Sequence, residues 1–133
     1  MFSNNDWIRL EKETSKVPGI ELTRWENNMG SLFRNARLVV SSFGYNSAVQ
    51  ILSTRTRALV IPLDPPGDWE QMLRASSFER LGVIKTLRLN ALSNESFANE
   101  LEAALEYDKK QIALDFNGAK NTSDMLENLL KAS

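Results

Sequence analysis

The sequence predicts an α/β fold, an open parallel sheet with helices on both faces, and three observations lead there. Short apolar runs alternate along the chain with stretches whose apolar residues recur at helical spacing. Strands that give way to helices at every step pair in parallel through right-handed crossovers. The run Ala58-Leu59-Val60-Ile61 is apolar at every position, as strands covered on both faces are.

Taken in order, Trp7, Leu10 and Thr14 share a helical face between Asn5 and Lys16, and Val17-Pro18-Gly19 stops that helix. Ile20 to Trp25 alternates Ile20 and Leu22 against Glu21 and Thr23, the period of a half-covered strand, with Trp25 expected in the core. Met29, Leu32 and Phe33 predict a brief helix. Leu38 to Ser41 is the next strand. A helix follows through Ala48, Val49, Ile51 and Leu52 and fades at Ser53 to Arg57. Arg55 and Arg57 fit a solvated turn, or a contact with a phosphate or an acidic lipid headgroup. Ala58 to Ile61 is the third strand, and Pro62 to Gly67 is a loop because its prolines remove donors and fix the backbone. Asp68 with Gln71 three residues on reads as a capping box, Gly82 ends the helix, and Val83 to Leu87 is the fourth strand. Ser93 caps a further helix with Phe97, Leu101, Ala104 and Leu105 on one face, and Met125, Leu126, Leu129 and Leu130 form a last apolar stripe.

Composition limits the chemistry. The 133 residues, 42% of them hydrophobic, suit one domain with one core. A net charge of -1 gives no bulk reason to bind nucleic acid. With no Cys and no His, thiol nucleophiles, imidazole bases and the usual soft metal sites are excluded, and no metal or cofactor is expected. No run approaches the roughly 20 apolar residues of a membrane span, and the expected location is cytoplasmic.

Two stretches follow strand ends and therefore open on one edge of such a sheet: Ser42-Phe43-Gly44-Tyr45-Asn46-Ser47 and Asp68 to Ala75. At the first, free backbone N–H groups and the positive end of a helix dipole converge and favour an anion. A plain strand-to-helix turn also needs a Gly and a polar cap, so both readings stand on these residues alone.

Gly44-Tyr45-Asn46-Ser47 after a strand, Ile61-Pro62 closing the next strand, and Glu70-Gln71-x-x-Arg74-Ala75 opening a helix together resemble the carboxy-terminal domain of family 28 glycosyltransferases. That family includes the N-acetylglucosaminyltransferase acting on the peptidoglycan lipid precursor, and uncharacterised bacterial members. The resemblance covers Ile20 to the C-terminus. It implies an incomplete Rossmann-like GT-B carboxy-terminal domain spanning residues 1–133, the half that holds a nucleotide sugar, such as UDP-GlcNAc. By the family pattern Gly44, Tyr45, Asn46 and Ser47 face the donor diphosphate, and Gln50, Glu70 and Gln71 face its ribose and sugar. Ser47 equally suits a helix cap, Tyr45 packing beneath the turn, and Asn46 capping it. Gln50 stands where the family commonly carries an acid, and an amide lacks the charge assistance that roughly doubles such a hydrogen bond.

The family's opening strand and Gly-rich loop, its acceptor domain and its usual catalytic base have no counterpart here, so no catalytic residue is assigned. The expectation is a fragment, a split gene product or one half of a two-chain enzyme, inactive alone and completed by an acceptor-binding domain or a membrane-associated partner subunit. With Ile20 to Trp25 as the family's third strand, a gap is left where two strands belong, and its unpaired edges predict self-association. The alternative function is a non-catalytic module that binds a nucleotide, a phosphate or a partner protein on the same fold.

Overall fold

A computed structural model describes residues 3–63, 65 and 69–131. The elements are α1 (Asn4–Thr14), α2 (Met29–Asn35), β1 (Val39–Ser41), α3 (Tyr45–Thr54), β2 (Ala58–Val60), α4 (Glu70–Arg80), β3 (Lys85–Thr86), α5 (Asn94–Glu106) and α6 (Gly118–Lys131), with a 3-10 turn at Leu89–Ala91. All three strands are parallel in the order β1-β2-β3, with Val39 opposite Ala58 and Val60 opposite Thr86. The expected open parallel α/β sheet is therefore present, in a Rossmann-like arrangement.

The period-two alternation of β2 divides the core. Ala58 and Val60 face a cluster with Val39, Phe43, Ala48, Ile51, Ala75 and Ile84, whereas Leu59 faces Leu87 and Ala104 with Phe97 and Leu101 packed alongside. Helices α3 and α4, each crossing over in the same direction, thus lie on one face and α5 covers the other. Ser93 caps α5 by accepting from Ser96 N–H, and Gly82, at φ 73°, turns the chain out of α4. Helix α6 keeps Met125, Leu126, Leu129 and Leu130 exposed. Among the described residues no helix is long and apolar enough to cross a membrane.

Two expectations are corrected. Ile20 to Trp25 forms no strand; after Gly19, at φ 84°, the chain folds back along α1. There the Arg24 guanidinium sits 4.6 Å from the centre of the Trp7 ring and donates to Asn4 Oδ1 at 3.3 Å, so α1 rather than a sheet neighbour receives the segment. With that strand gone, the gap it implied goes too: the described strands are consecutive neighbours, and β1 has no strand on its far side among the described residues. Trp25, expected in the core, is 78% exposed, with its indole N–H donating to Asn27. Helix α4 starts at Glu70 with Trp69 as its N-cap, whose side chain makes no cap bond; Asp68, the expected partner of Gln71 in a capping box, lies outside the described residues. The Gln71 side-chain carbonyl accepts from the Leu63 N–H at 3.2 Å.

Candidate functional site

Strand β1 ends at Ser41, and three residues later the chain is helical. Phe43 anchors this junction: fully buried, it meets Phe78 of α4 edge to face, with ring centres 6.0 Å apart. Gly44 is the N-cap of α3, with φ −60° and ψ 162°, and its carbonyl accepts from Ala48 N–H at 2.9 Å. Gly44 has no side chain with which to cap this helix, and among the described residues no side chain bonds the Tyr45, Asn46 and Ser47 N–H groups at its positive end, which lie at the carboxyl edge of the sheet. Tyr45 and Asn46 are exposed and Ser47 is half-buried, so Tyr45 does not pack beneath the turn.

The second stretch arrives beside the first. Ile61 N–H bonds the Ser41 carbonyl at 2.9 Å, Pro62 is buried, and the chain returns as α4. A Cβ placed on Gly44 would lie 4.0 Å from Gln71 Nε2, and Gln71 Oε1 accepts from Leu63 N–H at 3.2 Å. One turn further, Arg74 donates to the Phe43 carbonyl at 2.7 Å and pairs with Glu70. The guanidinium is mostly buried and the Glu70 carboxylate mostly exposed, so the pair presents its acid outward while the cation ties α4 to the β1–α3 junction. Arg74 belongs to the motif that prompted the resemblance, yet sequence reasoning assigned it no task. Its signal was the spacing of four from Glu70, the distance at which helical neighbours meet.

Gly44, Ser47, Glu70, Gln71 and Arg74 thus share one edge. Gln50 lies a turn further along α3, half-buried, with Oε1 3.3 Å from where a Cβ on Gly30 of α2 would be. Its amide therefore faces α2. Chemically, the edge offers backbone donors, an amide and a dipole, which suits holding a phosphorylated ligand more than moving protons. Among the described residues no group of acidic side chains is gathered that could hold a metal ion.

At the amino edge of the sheet, Lys109 is half-buried and donates to the Thr56 carbonyl at 2.6 Å. Burial, and then the charges of Arg57 and Arg55, lower its pKa from 10.5 to about 8. An unfolded lysine keeps its proton to higher pH, so between those values the unfolded state binds more protons and stability rises with pH. Relative to Lys109→Met, the parent is expected to gain roughly 1 kcal/mol from pH 7.5 to 9.5, a figure reduced for solvent screening around a half-exposed amine. Urea unfolding across that range measures it, and a parent that loses stability relative to the variant would refute it.

Residues 3–129 match the family described as glycosyltransferase family 28 C-terminal domain. Two curated relatives carry the name UDP-N-acetylglucosamine--N-acetylmuramyl-(pentapeptide) pyrophosphoryl-undecaprenol N-acetylglucosamine transferase. The one from Lachnoclostridium phytofermentans is 29% identical over 94 residues, covering 70% of this chain and 26% of its own length. The one from Clostridium novyi is 23% identical over 125 residues, covering 92% of this chain and 35% of its own length. The chain thus spans between about a quarter and about a third of these relatives. No solved structure gives a significant match.

Proposed function

The chain belongs to the glycosyltransferase family 28 C-terminal domain, and from that premise we propose that it is the donor-binding half of a UDP-sugar transferase, with UDP-GlcNAc as a donor. The observation that carries this reading is the convergence of two separate stretches at the carboxyl edge of the sheet, where Gln71 Nε2 stands 4.0 Å from the missing Cβ of Gly44 and Arg74 holds the Phe43 carbonyl. Between them the Tyr45, Asn46 and Ser47 N–H groups and the Ser47 hydroxyl take the diphosphate, favoured by the dipole of α3. Glu70, exposed at the start of α4, and the Gln71 amide take hydroxyls of ribose or sugar. Gln50, one turn beyond Ser47, reaches the ribose as a neutral acceptor once its amide swings away from Gly30 of α2.

The acceptor and the general base come from another segment or another chain, since GT-B chemistry takes place between two domains. An acceptor-binding domain or membrane-associated subunit is the partner this reading requires. Calorimetric titration of the purified chain with UDP, UDP-GlcNAc, ADP and GDP tests it. Binding of UDP and UDP-GlcNAc in preference to the purine nucleotides is expected. A folded chain that binds none of them would overturn the reading and leave the non-catalytic module. One observation favours that second reading: Gln50 stands in place of an acid and turns its amide towards Gly30 of α2.

A further inference from the structure

We propose that the groove at the amino edge of the sheet is a second anion site, built for a phosphate group that carries two or more negative charges. Its position follows from topology. The segments that lead into the parallel strands β1, β2 and β3 contribute Arg37, Thr56 and Val83 to it, which puts it at the end of the sheet opposite to Gly44 and Gln71. It encloses ≈ 390 Å³, within the range of small-ligand pockets.

The charge in this groove is one-sided. Among the described residues, Arg34, Arg37, Arg55, Arg57, Lys109 and Lys110 line it against a single carboxylate, Asp108, and none of these cations is in an ion pair. A net charge of -1 for the whole chain makes this concentration a local feature rather than a consequence of a basic protein. The carbonyl ends of α2 and α3 favour Arg34 and Arg55. They do not account for Lys109, which is half-buried beside Arg55 and Arg57, where it is both desolvated and repelled. Backbone conformation adds an independent sign: Arg55 is the one described non-glycine residue with positive φ, at 55°, a helix-ending conformation that Gly or Asn adopts more cheaply. An arginine stands where a glycine would fit more cheaply, and it lines the groove. A bound phosphate would neutralise the repulsion and accept from several donors at once, with the bidentate geometry that arginine offers.

Inorganic pyrophosphate is the probe for a free ligand, and vesicles containing phosphatidic acid, whose phosphomonoester can carry two charges, are the probe for the same chemistry on a lipid headgroup. Both are measured on the full chain in a Gly44→Val background, so that the carboxyl edge does not contribute. Arg37 and Arg57 are exposed, and the double substitution R37E/R57E is expected to weaken pyrophosphate binding at least about tenfold, or to abolish flotation with phosphatidic acid vesicles that phosphatidylcholine vesicles do not reproduce. Pyrophosphate binding alone identifies a free phosphate, and vesicle binding alone identifies a headgroup. Circular dichroism checks folding, and R37Q/R57Q, which removes charge without reversing it, replaces the first variant if that one unfolds. No binding of either probe, equal binding by the charge-altered chain, or binding of single-stranded RNA alone would overturn the proposal. UDP binding by the parent chain, unchanged in R37E/R57E, keeps the two sites separable: loss of either leaves the other standing.

Discussion

Replacing Gly44 by valine is expected to lower UDP affinity by about a hundredfold or more while the chain stays folded, a loss of about 2.7 kcal/mol of binding free energy. The backbone permits the change. Gly44 sits at φ −60° and ψ 162°, an extended conformation that a β-branched residue adopts readily, so no strain accompanies the substitution. Nothing inside the protein obstructs it either, since the nearest atom to the new Cβ is Gln71 Nε2 at 4.0 Å. The added methyl groups instead occupy the space through which a phosphate reaches the N–H groups at the start of α3. On the proposed reading, glycine serves here for closeness to the ligand, since its φ of −60° rules out a left-handed turn. Ser47→Ala removes one neutral hydrogen bond and is expected to cost about 1 kcal/mol. Gln50→Glu is expected to tighten UDP binding by restoring a charged acceptor for the ribose. Calorimetry on the three variants is the measurement, and UDP binding by Gly44→Val equal to that of the parent would remove the carboxyl edge as a donor site.

The parts of the fold that were legible in the sequence are those where one segment's own pattern decides its state. Ala58 to Ile61 carries no polar residue and became the central strand. Ser93 and Gly82 marked helix ends because a cap and a left-handed turn are local chemistry. Ile20 to Trp25 failed for the complementary reason. Its alternation is that of a strand, but a strand also needs a neighbour to accept its hydrogen bonds, and periodicity in one segment is silent about that. Helix α1 offered the Trp7 ring and Asn4, and the segment went there. At the candidate site, both loops were identified and their meeting on one edge follows from parallel topology. The Arg74 bond to the Phe43 carbonyl was not legible, because a side chain reaching a backbone atom 31 residues away leaves no spacing in the sequence. At the opposite edge, Arg55 and Arg57 were legible as a solvated turn or as a contact for a phosphate or an acidic lipid headgroup, but the groove was not, because Lys109 reaches it from beyond α5.

The largest expected effect on stability belongs to Phe43, and it bears on whether the site and the core are one unit. Its ring is fully buried between β1 and α3, packs edge to face on Phe78, and stands directly before the Gly44 cap. Phe43→Ala removes that ring from a closely packed cluster and leaves a cavity, which costs about 3–5 kcal/mol. The edge-to-face contact accounts for about 0.5–1.5 kcal/mol of interaction beyond the area buried. Against a total stability of about 5–15 kcal/mol for a domain of ordinary size, the variant loses a large fraction of its margin. Tyr45→Ala, two residues on, is the contrast: with its side chain 72% exposed, it is expected to change stability by no more than about 0.5 kcal/mol. Urea unfolding of parent and variants, followed by circular dichroism, reads both effects. UDP titration of Phe43→Ala under conditions where it remains folded reads the coupling. The Phe43 carbonyl that Arg74 holds is unchanged in chemistry by the substitution, but the ring that sets its position is gone. Weaker UDP binding in a folded Phe43→Ala chain is therefore expected. A stability cost under about 1 kcal/mol would show that the junction relaxes around the missing ring, and that the position of Gly44 is set by the Arg74 bond alone.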